Sequence, residues 1–306
     1  MRRLVLLASL TVALVACAAS MAAGDGILWP EPIDLLQGEL SEFRVTGADV
    51  AAVEGVWGKE KIYLHADGPG QFSGILGADV DAKPVLSKLR LIAKTFTGVE
   101  LRKMVSVKVK PKSFAQESFN VAPTFDRMTP ETLEEIRREQ AAFARVFAAP
   151  AADRWWQAPF VRPVPHEASA SSFGRRRIIN GTPRAPHSGM DLSAPAGTEV
   201  AATNHGKVVL AGKFFFAGGS VVLDHGGSLF TMYLHLSEIR VGEGAMVRKG
   251  DVLGLSGATG RVTGAHLHWG ARLANARVDP LQLLDKISGN PQPLRRNEIR
   301  ASEMEK

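Results

Sequence analysis

His266 and His268, separated by Leu267 in the run Thr263-Gly-Ala-His-Leu-His-Trp-Gly270, have the types and spacing that speak most directly of chemistry. Flanked by apolar Leu267 and Trp269, the run reads as a short β-strand, and its period of two puts both imidazoles on one face. Two histidines so placed serve a metal, a proton, or one of each. Upstream, His187-Ser-Gly-Met-Asp191 offers an imidazole and a carboxylate four residues apart, on one side whether the segment is a strand or a helical turn. Between the two pieces lies Thr231-Met-Tyr-Leu-His235-Leu-Ser237, an alternating strand with a fifth candidate. A hydrolytic zinc site takes about three protein ligands from His and carboxylate and keeps one position open. His187, Asp191 and one histidine of the pair meet that requirement, and the ion polarises a carbonyl and acidifies water. The other paired histidine and His235 are left to move a proton or to stabilise an oxyanion at neutral pH.

The series His-x-x-x-Asp, Tyr-x-His-Leu and His-x-His, in that order among Gly-rich strands, resembles the lysostaphin-like (LytM-type) zinc metalloendopeptidases of bacterial peptidoglycan. The likeness spans about residues 173–282 and closes on Val278-Asp279-Pro280. It implies Zn2+ as cofactor and peptidoglycan stem peptides or cross-links as substrate. It also implies His187, Asp191 and His268 as metal ligands. His235 and His266 would be the catalytic histidines, as general base or as donors to the tetrahedral intermediate, with the division between them open. No member of the set is missing, which favours an active enzyme. The competing function is a non-catalytic peptidoglycan-binding regulator of the same fold that switches on an amidase. The remaining histidines read as structural: His65, His166 in a Pro-rich linker, His205, and His225 as a turn residue near the groove.

Two stretches, Ala194–Gly212 and Val241–Gly257, share a rhythm of Gly turns and short Val-rich strands. That rhythm predicts an all-β-dominated protein. The resemblance makes its C-terminal domain, 173–285, an antiparallel β-sandwich with a duplicated hybrid motif. Biotinyl and lipoyl carriers share the rhythm, yet no lysine stands in their attachment setting. Residues 28–115 alternate in β fashion, clearest in Lys103–Lys110, and read as a small immunoglobulin-like β domain. Thr129-Pro130, acidic residues in the first turn and an apolar stripe of Leu133, Ile136, Phe143 and Phe147 predict a connecting helix over 129–149. A linker follows over 150–172, with Trp155 and Trp156 expected to dock on a domain. The loop Lys213–Gly219 reads equally as a mobile rim or as buried strand, and residues 286–306 as a surface tail.

Arg2 and Arg3 precede an uncharged apolar run from Leu4 to Val15, which predicts a signal peptide over 1–23 and an exported protein. Leu14-Val-Ala-Cys17 resembles a lipobox, so Cys17, the single cysteine, is expected to carry a lipid. Ala18 in place of Asp directs that anchor to the outer membrane. The alternative is ordinary cleavage near Ala22 or Ala23. A net charge of +6 suits a polyanionic wall polymer in the envelope or periplasm. No nucleic-acid motif accompanies the charge. Oligomeric state has no signature in the sequence.

Overall fold

The computed structural model describes residues 26–120, 128–165 and 172–287. The predicted leader with Cys17, His166 and the tail beyond 287 lie outside these residues. The architecture is β-dominated, as the alternation predicts: 48% strand and 9% helix.

Seven strands build the N-terminal body: β1 (Ile33–Leu36), β2 (Leu40–Thr46), β3 (Val50–Trp57), β4 (Glu60–Gly68), β5 (Gln71–Gly77), β6 (Val85–Thr95) and β7 (Glu100–Lys110). Their order is β1-β7-β6-β3-β4-β5-β2, with β1 and β7 parallel and the other pairs antiparallel. The early half of β4 pairs with β3 and the later half with β5, so one sheet turns through β4 into two layers. Val105, Val107 and Val109 face inward with Leu35, Leu89 and Leu91, and Lys108 points out, as period-two patterning requires.

In the C-terminal body the main sheet runs β11 (Gly189–Leu192), β19 (Leu267–Leu273), β15 (Leu229–Leu236), β14 (Gly218–Asp224), β13 (Gly206–Phe214) and β17 (Met246–Val247), with β20 (Ala276–Val278) on β19. A smaller sheet joins β12 (Glu199–Ala201), β18 (Val252–Leu255) and β16 (Glu238–Ile239). The two stretches of shared rhythm therefore pair crosswise, β12 with β18 and β13 with β17. Every residue of β14 is buried because both of its faces are covered. Val221 and Leu223 pack into the main core with Tyr233 and Trp269, while Val222 joins Phe230 and Met232 on the other face.

Helix α1 (Pro130–Ala148) covers that second face. Thr129 caps it, its hydroxyl accepting from the Thr132 N–H, and Pro130 opens its first turn. Phe143 packs on Phe214, and Phe147 on Phe230, with ring centroids 5.0 and 5.3 Å apart. Leu133, counted in the stripe, stays 41% exposed, whereas Ile136 is buried. Trp156 is buried against Phe160. Strand β13 ends at Phe214, leaving Phe215 and Phe216 at an exposed turn, so the loop is part strand and part rim.

The two bodies share a strand and a core. Strand β8 (Gln116–Phe119), beyond the end of the alternating region, pairs in parallel with β9 (Arg176–Ile179), which in turn meets β10 (Thr182–Pro183). Leu40 and Val80 belong to the same apolar cluster as Val278, Leu283 and Ile287. Asp79 accepts from Arg277 through both carboxylate oxygens, at 2.6 and 2.9 Å. Asp67 and Arg154 form a buried ion pair at 2.8 Å.

His225, expected in a turn beside the groove, is instead fully buried, its ring edge-on to Phe160. One ring nitrogen bonds the His205 carbonyl at 2.7 Å and the other the Thr231 hydroxyl at 2.7 Å. Burial pushes its pKa down to about 4 from the usual 6.5. A folded pKa below the unfolded one means that the unfolded chain binds the extra proton between those values, so this contribution to stability is lost as pH falls from 6.5 towards 4. The loss is roughly 3 kcal/mol across that window. Denaturant titrations at stepped pH should show a slope about one proton steeper for the wild type than for His225→Gln. Equal slopes would remove His225 from the acid sensitivity.

Candidate metal centre

The main sheet positions three side chains on one point. Asp191 on β11 stands directly opposite His268 on β19 in an antiparallel register, and His187 lies two residues before β11 begins. The Nε2 of His187, the Nδ1 of His268 and the Oδ1 of Asp191 form a near-equilateral triangle with sides of 3.0, 3.0 and 3.1 Å. Ligand atoms around tetrahedral zinc, with bonds of about 2.0–2.1 Å, lie only slightly further apart, so this triangle fits a cation seated above its plane. Among the described residues it is the one cluster of at least three such groups close enough to hold a metal.

The surroundings prepare these donors. His187 Nδ1 lies 2.9 Å from the Ser172 carbonyl, which fixes its proton there and leaves Nε2 a lone pair for the centre. The Ser172 hydroxyl accepts from the Asp191 N–H at 2.8 Å and ties the same residue to β11. Burial works against the Asp191 charge, but the close ring nitrogens of His187 and His268 override it and hold the carboxyl well below the usual range. Burial also lowers the His268 pKa, against the pull of Asp191, so the ring is neutral at neutral pH, the state a metal ligand needs.

His235 and His266 flank the triangle. Their ring centroids lie 4.9 Å apart, and His266 Nε2 is 3.6 Å from Asp191 Oδ1. His266 precedes β19 in an isolated bridge to Gly257, and its Nδ1 bonds the Gly264 carbonyl at 2.9 Å. His235 ends β15 with a φ of 67°, a left-handed conformation costly for a side chain with a Cβ. Its N–H is held by the Ala217 carbonyl at 2.9 Å and its Nδ1 by the Thr259 carbonyl at 3.0 Å. Thr259 is itself clamped: its hydroxyl donates to the Leu236 carbonyl at 2.7 Å and accepts from the Gly219 N–H at 2.8 Å. Burial, followed by the electrostatic influence of the neighbouring His268, lowers the His235 pKa to about 4. Both rings thus turn a free Nε2 into the site.

All five residues singled out from the sequence converge here, and every hydrogen-bond partner of their side chains comes from residues 172–268. Ser172 and Thr259 were missed. Ser172 fell in the linker, and Thr259 sits in a Gly-rich loop with no periodicity, so only three-dimensional proximity reveals them. Glycine at 189 is also required: a Cβ there would stand 2.6 Å from His268 Nε2 and 2.6 Å from the Trp269 carbonyl oxygen. Backbone cannot yield, so the ring must. Gly189→Ala is therefore expected to displace His268 and lower zinc affinity by about tenfold or more, measured by competition with a chromogenic chelator. Unchanged affinity would show that the ring has room to turn.

Residues 185–280 match the model of peptidase family M23. This segment is an M23 peptidase domain. The family is zinc-dependent, and two imidazoles with one carboxylate are the donors that zinc takes. Peptidoglycan DD-endopeptidase ShyA of Vibrio cholerae is 32% identical over 231 residues, which are 71% of this chain and 51% of that protein. ShyB of the same organism, also a peptidoglycan DD-endopeptidase, is 41% identical over 113 residues, 37% of this chain and 26% of that protein. The chain thus spans about half the length of the first relative and about a quarter of the second. A crystal structure from Pseudomonas aeruginosa, provisionally assigned as an M23 peptidase, aligns with a TM-score of 0.64 at 29% identity, covering 84% of this chain and 96% of its own.

Proposed function

We propose that this M23 protein is an exported zinc endopeptidase that hydrolyses D,D-peptide bonds in peptidoglycan stem peptides or cross-links. The observation that carries the reading is the convergence of His187, Asp191 and His268 on one point, with the imidazoles of His235 and His266 beside it. The bond type follows the names of the relatives, which are DD-endopeptidases. The chemistry supplied by bound zinc is polarisation of the scissile carbonyl and acidification of water. His187, Asp191 and His268 hold the ion. His235, kept neutral by burial and aimed by Thr259, offers Nε2 to accept a proton or to support the oxyanion. His266, more open to solvent, offers its Nε2 3.6 Å from the Asp191 carboxylate. Asp191 keeps its charge as a ligand and takes no part in proton transfer. In this proposal the leader exports the chain, Cys17 carries a lipid that tethers it to the outer membrane, and peptidoglycan is the partner it meets in the envelope.

The test is digestion of purified sacculi by the zinc-loaded full chain, with mass analysis of the released fragments. Loss of cross-linked dimers with a matching rise in monomers, abolished by a chelator and restored by zinc, is the expected result. Intact cross-links after exposure to the zinc-loaded protein would overturn the proposal.

A further inference from the structure

Along β19 the residues on the same face as His268 are Gly270 and Arg272. Gly270 stands opposite Gly189 on β11 and Met232 on β15, and the Met232 side chain lies against it. Four residues of strand place the Arg272 Cα roughly 13 Å from that of His268.

Arg272 is half-buried, and its environment is unusual for a cation. Its Nε donates to the Ala274 carbonyl at 3.1 Å and its guanidinium lies 4.5 Å from the centre of the Phe147 ring. Among the described residues no carboxylate forms an ion pair with it. Asp79, the nearest source of negative field, is committed to Arg277 through both oxygens. Arg272 lines a cavity of about 300 Å3 between α1 and the 214–217 turn, whose walls are aromatic on one side, with Phe143, Phe147, Phe214 and Phe216, and polar where Glu139 accepts from the Phe215 N–H at 2.8 Å. At its far end the cavity reaches Ala217, whose carbonyl holds the His235 N–H. It therefore adjoins the turn that holds the backbone of His235.

We propose that this cavity is a substrate subsite for an aliphatic segment ending in a carboxylate, with Arg272 as its counter-ion and the cleaved bond held further along the same sheet face. The proposal rests on the endopeptidase reading and adds to it a chemical requirement on the substrate. The aromatic walls beside Arg272 make charge pairing stronger than it is in open water, Glu139 is engaged by the Phe215 N–H, and the planar guanidinium fork matches a carboxylate in two parallel hydrogen bonds. A neutral sugar would leave the cation unmet. A purely aliphatic group would fill the aromatic walls but gain nothing from Arg272.

The test uses the full-length, zinc-loaded chain carrying His266→Ala, so that a bound peptide is not consumed. Calorimetry compares its affinity for a cross-linked muropeptide dimer with that for the same dimer after its carboxylates are converted to amides. Amidation is expected to weaken binding about tenfold or more. Adding Arg272→Gln should weaken binding of the free acid by a similar factor and abolish the sensitivity to amidation. Arg272→Lys, which keeps the charge without the fork, should recover part of both. If Arg272→Gln does not fold, as judged by circular dichroism, the lysine variant decides: reduced discrimination supports the subsite and undiminished discrimination overturns it. Equal binding of both dimers by the parent, or a folded glutamine variant that discriminates as the parent does, also overturns it. Sacculus digestion by the chain with His266 intact separates the two claims. Carboxylate-dependent binding through Arg272 without any cleavage would leave the subsite standing and remove the hydrolase reading. Cleavage with binding indifferent to Arg272 would do the reverse.

Discussion

His268→Ala is expected to lose both bound zinc and hydrolysis, whereas His266→Ala should keep close to one equivalent of zinc and lose cleavage by about 10²–10⁴-fold. The two residues are separated by one position and contact the same Asp191 oxygen, so the distinction rests on distance and partners. His268 Nδ1 lies 3.0 Å from both other donor atoms of the triangle. His266 Nε2 stands back at 3.6 Å from Asp191, and its ring faces His235. Deleting a corner of the triangle leaves two donors, too few for tight zinc binding. Deleting a flanking imidazole leaves the donors untouched and removes a group placed to move protons. Metal analysis of the dialysed variants beside their rates on sacculi reads both effects. The opposite pattern, with zinc lost on changing His266 and kept on changing His268, would exchange the two roles.

Asp67→Ala is expected to destabilise the protein by about 3–5 kcal/mol, the range for breaking a buried ion pair from one side. Asp67 and Arg154 are 6% and 5% exposed, respectively. Arg154 also donates to Ser73 at 3.1 Å and lies over the Trp156 ring at 4.8 Å, so it is fixed in a site that Asp67 neutralises. Without Asp67 the guanidinium stays buried and loses that carboxylate. Glu54→Ala supplies the comparison, because the Glu54 pair with Lys94 is open to solvent and is worth little. Chemical denaturation of the two variants should separate them by several-fold in free energy. An Asp67 variant no weaker than the Glu54 variant would show that Ser73, Trp156 and neighbouring groups suffice to hold Arg154.

The five residues of the centre were legible because each sits in a spacing that a strand converts directly into position. His-x-His shares a face, and Asp191 and His268 then need only adjacent strands in register. The alternation of Lys103–Lys110 was legible for the same reason, since one face of β7 meets the core and the other meets water. Other features depend on distant chain segments and leave no local trace. His225 is polar and followed by two glycines, which signals a turn, yet the His205 carbonyl and Thr231 satisfy both its nitrogens and let it be buried. The left-handed backbone of His235 is imposed by Ala217 and Thr259, which arrive from two other loops. The setting of Arg272 has no local signal either, because α1 brings Phe147 against it from a distant segment.

The pairing of β8 with β9 makes the metal centre inseparable from what precedes it in the chain. A fragment beginning at residue 173, the boundary that the motifs suggest, would discard β8, the carbonyl that orients His187 and the hydroxyl that steadies Asp191. Excised there, the domain would retain every donor atom yet lose the scaffold that aims two of them. The unit that can be moved into another protein, or compared with one, therefore starts upstream of its own signature.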